Sequence, residues 1–287
     1  MPYTVNAFRT TIYRAGSYRG NGTNAPATRL LAGGALDPGD DDQHGMVPAG
    51  RRVSATDAVH PDGSGRVVSF QEPNGAGDAV FLPFFANNIC SAVLPTAAGS
   101  NVDTFFTAEM SGCSIFIDRV TAVPAPVGGV ANPIAVGDLV VYHANAMSRS
   151  ANAATVLANP AATANVPARN HMRNVHYARA AASYTNNAPG PGLTLQRVAL
   201  CERGVYMQVV EGELARKRAM GRTNVLFSGG TNVMGFRVGA GWQFWFQTWG
   251  WVTYDRPASA GRAARLFRGA HKTASGPARI WDVGQIL

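Results

Sequence analysis

Phe105-Phe106-Thr107-Ala108-Glu109-Met110-Ser111-Gly112-Cys113-Ser114-Ile115-Phe116-Ile117-Asp118 is an apolar run broken once, by Ser111-Gly112. Glycine reaches backbone angles that other residues avoid, so the break predicts a turn. Ile115, Phe116, Ile117 and Val120 then have the composition of a buried strand. Strand, turn, strand is the unit repeated along the chain. Arg66–Phe70, Asp78–Leu82, Leu139–Tyr142, Leu193–Leu200 and Val205–Val210 all read as short strands, and Val233–Tyr254 as a hairpin of aromatic strands closing a sheet or barrel-like core. With 46% hydrophobic and 15% charged residues the chain is globular, and 32 Gly and 17 Pro favour a loop-rich β fold over a helical bundle. We expect a β-rich α+β fold, with a mixed or antiparallel β-sandwich core flanked by helices and long loops.

The 287 residues suffice for one large domain, read as a single catalytic domain over 1–287. Residues 1–52 combine a strand-like Tyr3–Tyr13 with abundant Gly, Asn and Pro, and part of this segment is expected to be mobile. Glu211–Met220 reads as a solvated basic helix, Ala178–Ala182 as a short helix, and Ile280-Trp281 as an anchor for the basic tail. No apolar segment approaches the roughly 20 residues needed to cross a bilayer, and Met1–Val5 lacks the order of a cleaved secretory leader. No stable membrane insertion is expected.

Cys90, Cys113 and Cys201 are too few and too scattered for a disulfide framework, and no Cys/His spacing matches a zinc site. Asp40-Asp41-Asp42 beside His44 lacks the spacing of a calcium loop. No metal and no cofactor are expected. The net charge of +8 raises anionic partners, yet basic residues are scattered outside Arg216–Arg218 and Arg262–Lys272, without interleaved stacking aromatics. A nucleic-acid partner is therefore not expected. Phosphate chemistry and serine hydrolysis lack their Gly-rich loop and Gly-x-Ser-x-Gly elbow.

What remains is thiol chemistry. A turn leading into a buried strand exposes Cys113 at the strand end and can aim backbone N–H groups at a bound carbonyl oxygen, as acyl transfer requires. Cys90 and Cys201, in apolar settings without a Ser-Gly turn, read as structural. A thiol needs a base, and His143 ends a short buried strand that mirrors the setting of Cys113. His176 is the reserve candidate. Three classes stay open: a cysteine amidohydrolase, a cysteine protease or transglutaminase with the same Cys–His pair, and a non-catalytic β-rich binding or structural protein in which Cys113 is inert.

Met110-Ser111-Gly112-Cys113 followed by a β run and a histidine on the next strand resembles the cysteine deamidase toxins that include cytotoxic necrotizing factor and Burkholderia lethal factor. Their mark is a Ser-Gly-Cys nucleophile motif, usually with Leu where Met110 stands; the segment from Cys113 to His143 is longer here and holds a Pro/Gly-rich insertion. The resemblance spans roughly Phe81–Asn145. It implies a secreted or injected bacterial toxin or effector that deamidates a glutamine of a host protein in the host cytosol; separately, the chain is expected to be a monomer. It also implies that a backbone carbonyl, here that of Thr107, orients the histidine. Of the 25 basic residues only Lys217 and Lys272 are lysine, leaving 23 arginines. GC-rich coding explains this bias, and scarcity of ubiquitin acceptors in a foreign cytosol is the rival explanation.

Overall fold

A computed structural model of the chain describes residues 3–20, 23–26, 46–48, 50–61, 63, 65–71, 77–83, 89–97, 99–110, 112–123, 134–144, 193–255 and 278–287. The elements, in order, are α1 (Val5–Thr10), β1 (Tyr13–Gly20), β2 (Thr23–Pro26), β3 (Met46–Pro48), β4 (Arg51–Val59), β5 (Arg66–Gln71), β6 (Ala79–Leu82), β7 (Ile89–Leu94) and β8 (Thr104–Thr107). There follow β9 (Ser114–Ala122), β10 (Leu139–Ala144), β11 (Thr194–Cys201), α2 (Arg203–Tyr206), α3 (Gln208–Ala219), β12 (Thr223–Val238), β13 (Gly241–Asp255) and β14 (Ala278–Gln285). The fold is β-rich with few helices, as the composition predicts. Strands form a nine-stranded sheet ordered β14-β13-β12-β8-β6-β4-β5-β1-β2 and a five-stranded sheet ordered β11-β9-β10-β7-β3.

The main core draws on both sheets and on the helices: Phe105, Val233, Phe244 and Phe246 from the larger sheet, Cys90, Ile115, Ile117 and Val141 from the smaller, and Tyr206, Val210 and Leu214 from α2 and α3. The nine-stranded sheet also curls over its other face. The start of β1 crosses β12 and β13, where Gln247 Oε1 accepts the Tyr13 N–H at 2.7 Å and Asn232 Nδ2 donates to the Tyr13 carbonyl at 2.7 Å. Inside the curl Phe8, Tyr13, Phe70, Phe81 and Phe106 form a second core.

Two segments read as strands are helices. Tyr3–Tyr13 contains α1 because Thr4 caps it, its Oγ1 accepting the Ala7 N–H at 3.1 Å, and because Phe8 must enter the curled core. Val205–Val210 lies in α2 and α3, whose buried residues Tyr206, Val210 and Leu214 recur every four positions, a helical period that outweighs the β-branched composition. The aromatic hairpin is as expected, turning at Gly239 (φ +60°). In β14 the roles of the expected anchor divide, with Ile280 buried and Trp281 43% exposed. Asp40–Asp42, His44, the Ala178–Ala182 helix and the basic segment after Asp255 lie outside the described residues. Among the described residues no helix is long and apolar enough to cross a membrane.

Candidate functional site

β9 and β10 are antiparallel neighbours, with Ser114 opposite Ala144 and Ile115 opposite His143. Continuing this register by one residue puts Cys113 two positions from His143 on the adjacent strand and on the same face, since side chains alternate along a strand. Diagonal neighbours of this kind lie roughly 7–8 Å apart, a span that aromatic and long side chains bridge. The turn before β10 is fixed by Asp138, whose carboxylate accepts the Thr96 N–H and the Ala135 N–H, both at 2.9 Å, while Gly137 takes φ +96°. Every residue of β10 is buried, so the strand holding His143 is central to its sheet and rigidly placed.

On the other side of β10, β7 puts Cys90 directly opposite His143. Side chains facing each other in this way have Cβ atoms about 4.5–5.5 Å apart, closer than the diagonal pair. His143 thus stands between two thiols. The apolar neighbourhood of Cys90 by itself predicts a structural thiol, and only the pairing of β7 with β10, distant in sequence, brings it beside the histidine. Cys201, on β11, is opposite Ile115 of β9.

The expected exposure of the sulfur is not found. Cys113 is 5% exposed, Cys90 and His143 are fully buried, and Cys201 is 1% exposed. Cys113 belongs to the main core with Phe105, Met110, Ile115 and Tyr206, whose apolar bulk covers the strand end. Burial, helped by the charge of Glu202, pushes the Cys201 thiol up to about 12 and makes it chemically inert at neutral pH.

The loop carrying Cys113 is tied to the larger sheet at one end and to α2 at the other. The Met110 N–H donates to the Thr231 carbonyl at 2.6 Å and the Thr231 N–H returns to the Met110 carbonyl at 2.8 Å. At Cys113 itself the Tyr206 hydroxyl donates to the backbone carbonyl at 2.8 Å. Thr248 Oγ1 in turn donates to the Tyr206 carbonyl at 2.7 Å, so the 2.8 Å contact between the Thr231 and Thr248 hydroxyls has Thr231 as donor. Thr231, Thr248 and Tyr206 escaped the sequence reading. No motif marks them, although a tyrosine at the junction of two helices with two threonines amid aromatic strands is a polar signal inside a core.

Thr107 closes β8 in the nine-stranded sheet, whereas His143 is in the five-stranded one. Its hydroxyl accepts the Val233 N–H at 3.0 Å, so any part it takes toward His143 falls to its carbonyl. Ser111, His171 and His176 lie outside the described residues. Among the described residues no group of three or more His, Cys, Asp or Glu side chains could hold a metal ion.

Glu109, four residues before Cys113, points to the opposite face of the larger sheet, where its carboxyl lies against Gly230. Burial lifts its pKa above the ordinary 4.5, and the Arg14 charge offsets part of the rise. The folded protein therefore binds this proton more tightly than the unfolded chain does. The stability it contributes is complete below the ordinary carboxylate pKa and is lost as pH rises through the raised one. Glu109→Gln is expected to match the wild-type urea midpoint at about pH 4 and to exceed it at about pH 8. A variant less stable than wild type at the higher pH would show that the Arg14 attraction outweighs burial.

Comparison with protein-family models finds none that matches the chain, and comparison with curated proteins finds no match.

Proposed function

We propose that the protein is a cysteine-dependent amidohydrolase that converts a glutamine side chain of a host protein to glutamate, with Cys113 as nucleophile and His143 as base. The observation that carries this reading is the β9–β10 register, in which thiol and imidazole share one face of adjacent strands. Cys113 is also the most accessible of the three thiols. The choice of glutamine, of a host protein and of the host cytosol rests on the resemblance of Met110–Cys113 to the deamidase toxins. The finer fold reading, a single α+β domain with a sandwich core, belongs to the same proposal.

In this mechanism His143 takes the Cys113 thiol proton and the thiolate attacks the carboxamide carbon. The C–N bond breaks as the imidazolium protonates the departing ammonia, leaving a thioester. Water, deprotonated by His143, attacks the thioester carbon; the C–S bond breaks and the thiol recovers its proton. The sum is glutamine plus water to glutamate plus ammonia. The Cys113 N–H is assigned to the developing oxyanion, and the Thr107 carbonyl to the orientation of His143.

Burial of the pair favours a second reading, in which Cys113 is a core thiol without chemistry. Alkylation separates the two. Iodoacetamide at near-neutral pH should modify Cys113 before Cys90 and well before Cys201, whose raised pKa leaves little thiolate. His143→Ala should slow the Cys113 reaction by tenfold or so if the imidazole generates the thiolate. Equal rates at Cys113 and Cys90, or no slowing in the histidine variant, favour the inert thiol.

A further inference from the structure

The layer between the two sheets stays open at the end away from Cys113. There the start of β10, the far part of β9 and the residue Thr96 after β7 face the tip of the β12–β13 hairpin and Leu287, around a cavity of about 490 Å³. Sites that take a small molecule usually measure about 300–1,000 Å³. Leu139, Trp242 and Leu287 give this one apolar walls. Arg119, which is exposed, lines the side contributed by β9; it is opposite Leu139 and so on the same face of the smaller sheet.

The walls are held by bonds of their own. The Trp242 indole N–H donates to the Pro95 carbonyl at 3.1 Å, which leaves the ring as its contact surface. Arg237, opposite Trp242 on β12, fixes the neighbouring loop by donating to the carbonyls of Thr96, Ala97, Ser100 and Val102, all of them neutral partners. The acidic groups nearby are otherwise engaged. The Asp138 carboxylate accepts the Thr96 and Ala135 N–H groups and the Thr96 hydroxyl. The Leu287 carbonyl oxygen accepts the Phe244 N–H at 3.0 Å and a bond from Gln285 Nε2 at 3.1 Å. Asp118, next to Arg119 in sequence, stands on the opposite face and lies 3.9 Å from Arg197. Among the described residues Arg119 has no carboxylate partner.

An apolar chamber with one uncompensated guanidinium at its side selects its ligand. An inorganic anion would pair with Arg119 and leave the apolar walls uncovered. A neutral hydrocarbon would fill the space and desolvate the guanidinium without giving it a partner. An apolar monocarboxylate meets both demands, with its hydrocarbon part against Trp242 and Leu139 and its two oxygens on the planar fork of Arg119. We propose that this cavity binds a small apolar carboxylic acid in its ionised form, held by Arg119. The site is at the other end of β9 from Cys113 and does not depend on the amidohydrolase reading.

Isothermal titration calorimetry of the full chain with 2-naphthoate, and with the uncharged 2-naphthylmethanol of similar shape, tests it. The acid should bind one-to-one and about tenfold more tightly than the alcohol, because a charge-assisted bidentate pair is stronger than a neutral contact. Arg119→Gln should remove that advantage while leaving the affinity for the alcohol unchanged. Ala240→Phe, which puts a ring at the exposed rim of the cavity, should weaken both ligands. Thermal unfolding curves that coincide with wild type check that each variant is folded. Equal affinity for acid and alcohol, acid binding that Arg119→Gln leaves intact, or the absence of saturable one-to-one binding would each overturn the proposal.

Discussion

Cys113→Ser is expected to abolish glutamine-to-glutamate conversion on a protein substrate, a loss of at least about 10⁴-fold. Serine preserves the shape of the site, but its hydroxyl is far less acidic than a thiol, and a buried imidazole with no side-chain carboxylate assigned behind it cannot activate it usefully. The products discriminate among thiol chemistries. Deamidation adds about one dalton and leaves the chain intact, proteolysis gives fragments, and transamidation adds a whole amine. Intact-mass and ammonia measurements on candidate host proteins, with wild type and Cys113→Ser side by side, read all three. Conversion that persists in the serine variant would remove Cys113 from the chemistry. Cleavage that depends on Cys113 would keep the Cys–His pair and replace the deamidase with a protease.

Gly250→Ala should lower stability by about 3 kcal/mol or more, with a clear fall in melting temperature. Gly250 has φ +155°, a region nearly confined to glycine, in the middle of β13 and directly opposite Gly229. An added Cβ would run into the Ser228 carbonyl oxygen and lie 2.7 Å from the Gly229 Cα. These are backbone atoms in a continuous ladder, so no side chain can swing aside to make room. A thermal unfolding curve indistinguishable from wild type would mean that β12 and β13 can separate locally, and that the crossing is looser than the geometry implies.

Much of the β architecture is legible locally. Arg66–Phe70, Leu139–Tyr142 and the aromatic hairpin have strand composition, and each becomes a strand. The misreadings arise where a tertiary demand outweighs local preference. Val205–Val210 is rich in β-branched residues, yet Tyr206, Val210 and Leu214 must meet the main core on one side, which only a helix achieves. In the candidate site, the adjacency of β9 and β10 follows from their succession along the chain. The approach of Cys90 to His143 does not, because β7 reaches β10 across two intervening strands. Composition suggested an exposed thiol at a turn, whereas Tyr206, far along the sequence, closes over it.

The clasp between β1 and the β12–β13 hairpin has a kinetic consequence. Tyr13 bonds Gln247 and Asn232 over sequence separations of 234 and 219 residues, and β8 cannot fill its place in the sheet until β12 exists. Such non-local topology makes folding slow, because loop closure must be accomplished before the contacts that reward it form. On the ribosome, the first strands therefore wait for the last third of the polypeptide. Until it emerges, the apolar edge of β8 stays open to association with other nascent chains, so yield should depend on chaperone supply more steeply than the stability of the finished protein would suggest.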